Sequence, residues 1–172
     1  MNNPLDEISN VLYNIFTNPD KSALEKEVKR TFTHNSEFKH FLATVPAGIG
    51  SREKIISHYK FFRGFYRSNT LDIHEKWFNE PSGRMVLDVT EYIQFIYSPW
   101  RQTPLRLYII FNLQKNEGGK YFINRHEDLC QPEDLLGVYI PYVAPTLLVM
   151  TKRAISFITM LVGSTFNSIG WC

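Results

Sequence analysis

The run Leu105, Leu107, Ile109, Phe111 and Leu113 places an apolar side chain at every second position. Strand side chains alternate between two faces, so a period of two buries one face of a β-strand; helix-forming apolar residues recur at three and four. The flanks extend the pattern. Asn116-Glu117-Gly118-Gly119 reads as a hairpin turn, and Lys120 to His126 as the returning strand. Upstream, Met85, Leu87 and Val89 alternate with more polar residues, Tyr92 to Tyr97 continues as a mostly apolar strand, and Ser98-Pro99-Trp100 ends it. Leu71, Ile73, Glu75 and Trp77 alternate with Asp72, His74, Lys76 and Phe78, and Pro81-Ser82-Gly83 marks the turn after them. The pattern predicts an antiparallel meander.

Ahead of the meander the period is helical. Leu5, Ile8, Leu12, Ile15 and Phe16 make one apolar helix face, ended by Asn18-Pro19-Asp20. Leu24, Val28 and Phe32 mark a second helix over Ser22 to Phe32. The segment Thr33 to Val45 is less regular, with a short strand expected around Phe38 to Leu42. A third helix runs from Gly48-Ile49-Gly50-Ser51 to about Tyr66, with Ser51 as its expected N-cap. Its G-x-G lacks the preceding strand and the remaining glycines of a phosphate-binding loop. Helices first and hairpin-linked strands after mean an α+β domain. Helices laid across a curved antiparallel sheet enclose an apolar mouth suited to a small ligand.

Composition narrows the function classes. The 172 residues carry 15% aromatics, enough for a packed core, and a net charge of only +2 with dispersed Lys and Arg, which argues against a nucleic-acid surface. The two cysteines, Cys130 and Cys172, form no disulfide framework, and Cys172 is outside a prenylation context. MNNPLDEISN lacks the basic and apolar regions of a signal peptide. Five His and two Cys in no paired spacing give no reason to expect a metal, and no cofactor is expected.

Asn3-Pro4 with Glu7-Ile8, Phe32, Phe38-Lys39-His40 and Gly50-Ser51-Arg52 before Ile55 stand in a recognisable order, continued by the Tyr59 region, Arg101 to Pro104, Lys120-Tyr121 and Asp128-Leu129. In that order they resemble the fungal SigF-like group of nuclear transport factor 2-like domain proteins. The resemblance implies a cone-shaped α+β fold over residues 1–136, with an apolar, membrane-leaning extension over 137–172. The same superfamily holds ketosteroid isomerase, scytalone dehydratase and non-catalytic transport proteins, so it implies no single reaction. Three readings are open. The first is non-catalytic binding of a small apolar ligand or lipid, the second a lyase or isomerase doing acid–base chemistry on a hydrophobic substrate, and the third a protein-interaction module, or homodimer, built on the sheet face.

Candidate residues come from the same patterns. His126 and Asp128, two apart on a strand, share a face, where a carboxylate can orient a histidine as general base. The alternation sets Tyr121, Ile123 and Arg125 on the other face. The alternative has Asp128 capping the strand and its neighbours solvated. His34, and His40 near it, come from a region that in dehydratase-like relatives reaches the pocket. Tyr59, Phe62, Tyr92 and Tyr108 are candidate ligand-binding residues.

The tail turns on TLLVMTKRAISFITMLVG, residues 146–163, with Lys152 and Arg153 inside it. Pro141 and Pro145 are expected to break a regular helix before it, and polar residues dilute its end. Three readings stay open: a core helix, a tail anchor inserted from Ala154 onward, and shallow attachment to a membrane with Lys152 and Arg153 reaching the headgroups, the last being favoured. That predicts a cytosol-facing protein at the endoplasmic reticulum or a lipid droplet, with the cytoplasm as the alternative.

Overall fold

A computed structural model of the chain describes residues 1–139 and 143–168. Pro4 opens helix α1 (Pro4–Leu12), where its missing N–H would have had no intrahelical partner, and Asp6 and Glu7 sit at the positive end of the helix dipole. Glu7 Oε1 also accepts the backbone N–H groups of Asn2 and Asn3 at 2.5 and 3.1 Å. Ile8, Val11 and Leu12 form the buried face; Leu5, counted on that face from its spacing, is 36% exposed. A π-helical turn (Tyr13–Thr17) comes next and buries Ile15. Asp20 caps helix α2 (Lys21–Thr31), its Oδ1 accepting the Ser22 N–H at 2.8 Å.

Strand β1 (Phe32–His40) starts directly at the end of α2, longer than the short strand its irregular pattern suggests, and pairs with the edge strand β2 (Ala43–Val45). Helix α3 (Ser51–Phe65) is capped by Gly50 at φ +73° rather than by Ser51, whose hydroxyl is buried without a partner. Strands β3 (Tyr66–Asn79), β4 (Arg84–Phe95), β5 (Gln102–Lys115) and β6 (Tyr121–Cys130) form the meander. At the β3–β4 turn, Gly83 has φ +65° and its carbonyl accepts the Leu113 N–H at 2.7 Å; a Cβ there would lie 2.3 Å from the Leu113 carbonyl oxygen. Only glycine fits.

The sheet order is β2-β1-β6-β5-β4-β3, antiparallel at every seam but one, since β1 runs parallel to β6. Its register stacks Met85, Phe111 and His126 across three strands, and beside them Leu87, Ile109 and Asp128. This face carries the core and meets the helices, through Tyr59 of α3 against Phe38 of β1 and through Lys76 Nζ donating to the Leu5 carbonyl of α1. Asp88, Tyr92, Arg106 and Tyr108 have the opposite parity and lie on the other face.

The chain divides into two compact units, Met1–Cys130 and a second beginning at Gln131. The second holds helices α4 (Pro132–Tyr139) and α5 (Val143–Ser168). Pro145 does not break α5, because it falls in the first turn, where N–H groups have no intrahelical acceptor. Pro141 lies outside the described residues. Lys152 bonds Glu133 of α4 at 2.6 Å.

Candidate functional site

Simple alternation sets Ile123 and His126 on opposite faces of β6. They share one, because β6 carries an extra residue against β5: Arg125 pairs with Asn112, but Ile123 pairs with Leu113. Such a bulge shifts the alternation by one and re-aims the side chains beyond it. β1 is irregular at the same level, between Phe32 opposite Ile123 and Glu37 opposite Arg125. Ser36 fills that irregularity, its hydroxyl bonding the Thr33 and Ile123 carbonyls at 2.7 and 2.9 Å. The result is that Ile123, His126 and Asp128 are all buried.

His126 is fully enclosed and uses both ring nitrogens. Nδ1 meets the hydroxyl of Tyr59, and Nε2 lies 2.8 Å from Asp128 Oδ1. Burial, with the charge of Asp128 adding to it, raises the Tyr59 phenol well above its ordinary range and keeps it protonated. A protonated phenol donates and a carboxylate only accepts, which selects one tautomer: Tyr59 O–H to Nδ1, and Nε2–H to Asp128. Phe38, Phe32 and Phe16 stand around Tyr59, and Phe38 and Phe111 stand against the His126 ring. A polar chain of three groups thus runs through an aromatic interior, where each of its bonds is strengthened by the low local dielectric.

Two more titratable groups, both half-buried, feel the charge of Asp128. Glu91 shares the parity of Val89 and Ile93 on β4, accepts the Asn69 amide at 2.5 Å, and is held protonated up to about 7, mainly by desolvation and further by the charge of Asp128. His40, at the end of β1, is pushed down to about 4 by burial, with Asp128 opposing and His126 and His58 reinforcing. Its ring packs 4.7 Å from Phe62. Glu91 gives no signal in sequence, because it lies in a stretch that reads as an apolar strand.

Of the residues singled out from sequence, the fold brings His126, Asp128 and Tyr59 into one network and sets Phe62 one helical turn from Tyr59. His34 does not join them: it is exposed on β1 and lines a separate surface groove with Lys29, Arg52 and Lys115. Tyr92 and Tyr108 are also elsewhere. Strand parity puts them on the sheet face opposite the one that meets α1 and α3, where Tyr108 is 44% exposed and pairs in register with Leu129. Arg125 and Glu127, flanking His126, pair with each other at 2.6 Å at the half-exposed rim. Lys152 and Arg153 are exposed on α5. Among the described residues no group of three His, Cys, Asp or Glu side chains is arranged to hold a metal ion.

A family model described as the SigF NTF2-like domain matches residues 1–171. Comparison with curated proteins finds no match. Solved structures share the fold at low identity. TsrD from Streptomyces laurentii superposes with a TM-score of 0.60 at 10% identity, covering 80% of this chain and 96% of that one. A protein of ketosteroid isomerase-like fold from Catenulispora acidiphila, in complex with trimethylamine, gives 0.58 at 14% identity, covering 76% and 90%. A protein assigned as a scytalone dehydratase from Novosphingobium aromaticivorans gives 0.58 at 11% identity, covering 74% and 80%.

Proposed function

The chain belongs to the SigF NTF2-like domain family, and from that premise we propose that its cone moves a proton on a small apolar substrate, as an isomerase or dehydratase would. The observation that carries this reading is the buried Tyr59–His126–Asp128 chain. Both imidazole nitrogens are taken and all three groups are buried, so a substrate admitted to the cone meets the chain at the Tyr59 hydroxyl. Tyr59 Oη accepts a substrate proton as its own passes to His126 Nδ1, and the imidazolium so formed faces the Asp128 carboxylate. Tyr59 is the catalytic contact, His126 the base, and Asp128 the residue that positions it. The proton then returns to another substrate carbon, giving isomerisation, or to a departing hydroxyl, giving dehydration. A neighbour described as a scytalone dehydratase fits this class of chemistry, and another is described as having a ketosteroid isomerase-like fold.

The test is deuterium exchange in D2O, followed by mass spectrometry, over a panel of apolar ketones and β-hydroxyketones. Wild-type protein is expected to exchange or dehydrate members of the panel. His126→Gln and Tyr59→Phe are expected to lose about a hundredfold or more of that rate. An apolar molecule that binds and leaves unaltered would support non-catalytic binding instead, and an unchanged rate in His126→Gln would end the proposal.

Helix α5 favours a location. Val143–Val162 is a stretch of 20 residues with mean hydropathy 1.4, none of it buried. An exposed helix this apolar needs an apolar environment, and Lys152, Ser156 and Thr159, spaced by four and three, give it one polar face. Lys152 and Arg153 fall in the middle of this stretch, where a full span would carry them to the costly bilayer centre. Lying in the plane of the interface keeps Lys152, paired with Glu133, and Arg153 at headgroup level, so the proposal is monotopic attachment through α5.

A further inference from the structure

An open cleft of about 980 Å³ lies between the Tyr13–Thr17 turn with the start of α2 on one side, and the end of α3 with the start of β3 on the other. Phe16, Leu24 and Tyr66 give it apolar walls, and Lys60, Arg63 and Arg67 give it cations. Its carboxylate, Glu25, is already held between Lys29 and Lys60 at 2.7 and 2.5 Å, and those bonds bring it down to about 2. The opposing charge left to Arg63 is Asp20 beside the cleft, whose carboxylate is already bonded to Ser22.

Two atoms on these walls are shielded from solvent and bond nothing. Arg63 gives Nη2 to the Asn18 carbonyl at 2.5 Å, while its Nη1 is buried without an acceptor. Asn69 gives its amide nitrogen to Glu91, while its Oδ1 is buried without a donor. Burial lowers the Arg63 pKa against the weaker pull of Asp20, the direction expected of a guanidinium short of a counter-charge. Buried groups in native proteins are nearly always paired, and leaving a charged donor unpaired is the costlier failure. A ligand that satisfies both atoms brings an anionic oxygen to Arg63, a hydroxyl or amide hydrogen to Asn69, and an apolar body to Phe16, Leu24 and Tyr66.

We propose that this cleft is a binding site for a small amphiphile with an anionic carboxylate head, anchored by Arg63. A carboxylate suits it because a single guanidinium anchors the head: Nη2 is committed to the Asn18 carbonyl, and Nη1 is the buried donor left for one anionic oxygen. The site shares one wall with the proton-transfer chain, since Phe16 packs on Tyr59, but its anchor Arg63 makes no contact with His126.

Isothermal titration of the full chain tests the site with decanoate, with decanol as its neutral counterpart, and with inorganic phosphate as a head without a body. Wild type is expected to bind decanoate at least tenfold more tightly than either. Arg63→Gln is expected to lose that preference while binding decanol as before, and Arg63→Lys to keep part of it. His126→Gln is expected to bind decanoate as wild type does, so a failure here is separable from a failure of the catalytic reading. Equal wild-type affinity for decanoate and decanol overturns the proposal without any variant, and phosphate binding as tightly as decanoate also overturns it. A decanoate preference that survives in a folded Arg63→Gln variant does the same, and water alone then pairs these atoms.

Discussion

Tyr59 shows how much one hydroxyl carries. Tyr59→Phe keeps the ring among Phe16, Phe32 and Phe38 but leaves His126 Nδ1 buried and unpaired. The expected cost is about 1–3 kcal/mol, read as a lower midpoint in urea unfolding with an unchanged slope. Glu91 and His40 make a second prediction. With Glu91 held up to about 7 from an ordinary 4.5, the folded state binds more protons than the unfolded chain across that window, so stability falls as pH rises through it. His40, pushed from 6.5 to about 4, acts the other way, and stability falls as pH drops through that range. The two slopes oppose each other wherever the windows overlap. Glu91→Gln should remove one of them, so thermal melts of the variant should rise from pH 4.5 to 6.5 and then stay level, while wild type declines toward 7 and just above. A variant profile that tracks wild type would contradict this. At this scale the sequence exposes His126 and Asp128, because a spacing of two on a strand shares a face. It hides the link to Tyr59, which depends on how α3 crosses the sheet, and it hides Glu91 among apolar neighbours.

Among the elements, turns and faces are legible and partners are not. Pro81-Ser82-Gly83 announces the β3–β4 turn, and the structure adds the reason for its glycine, the Leu113 carbonyl oxygen 2.3 Å from where a Cβ would stand. Gly83→Ala should therefore cost more than the roughly 1 kcal/mol of a positive φ alone, since backbone on two strands must move. Differential scanning calorimetry should show a lower Tm, whereas Gly118→Ala, with only the Asn116 side-chain amide within 4 Å of the added Cβ, should move it little. Alternation finds the faces of β4 and β5, but its period says nothing of a neighbour's direction, so the parallel β1–β6 pairing is unreadable from it. The β6 bulge is unreadable for a related reason, since one inserted residue leaves composition untouched while reversing every face after it. Proline at the start of α5 misleads in the other direction, because its effect depends on which turn it occupies.

For the whole molecule, the sequence conveys an α+β cone followed by an apolar helix, while the extent of that helix comes from the structure. Continuous helix from Val143 through Lys152 and Arg153 turns two apolar fragments into one exposed element. The full chain is therefore expected to float with phospholipid vesicles in a sucrose gradient, and a chain ending at Cys130 to remain at the bottom with the folded circular dichroism of its own helices and sheet. Equal behaviour of the two would remove the membrane reading.

The parallel seam between β1 and β6 also sets an order of events. Strands β3 to β6 can pair with sequence neighbours, but β1 must wait for β6, whose partner residues come from the far end of the unit. Distant pairings of this kind pay their loop-closure entropy before contacts reward it, and they form slowly. Phe38 and His126 meet across that seam, with Tyr59 packed on both. The polar chain is then among the last contacts to assemble and, where opening starts at the seam, among the first to be lost. Under the proposed proton transfer, turnover would report the finished topology, and a chain with its hairpins standing and its seam open would be folded by most spectroscopic measures and inert.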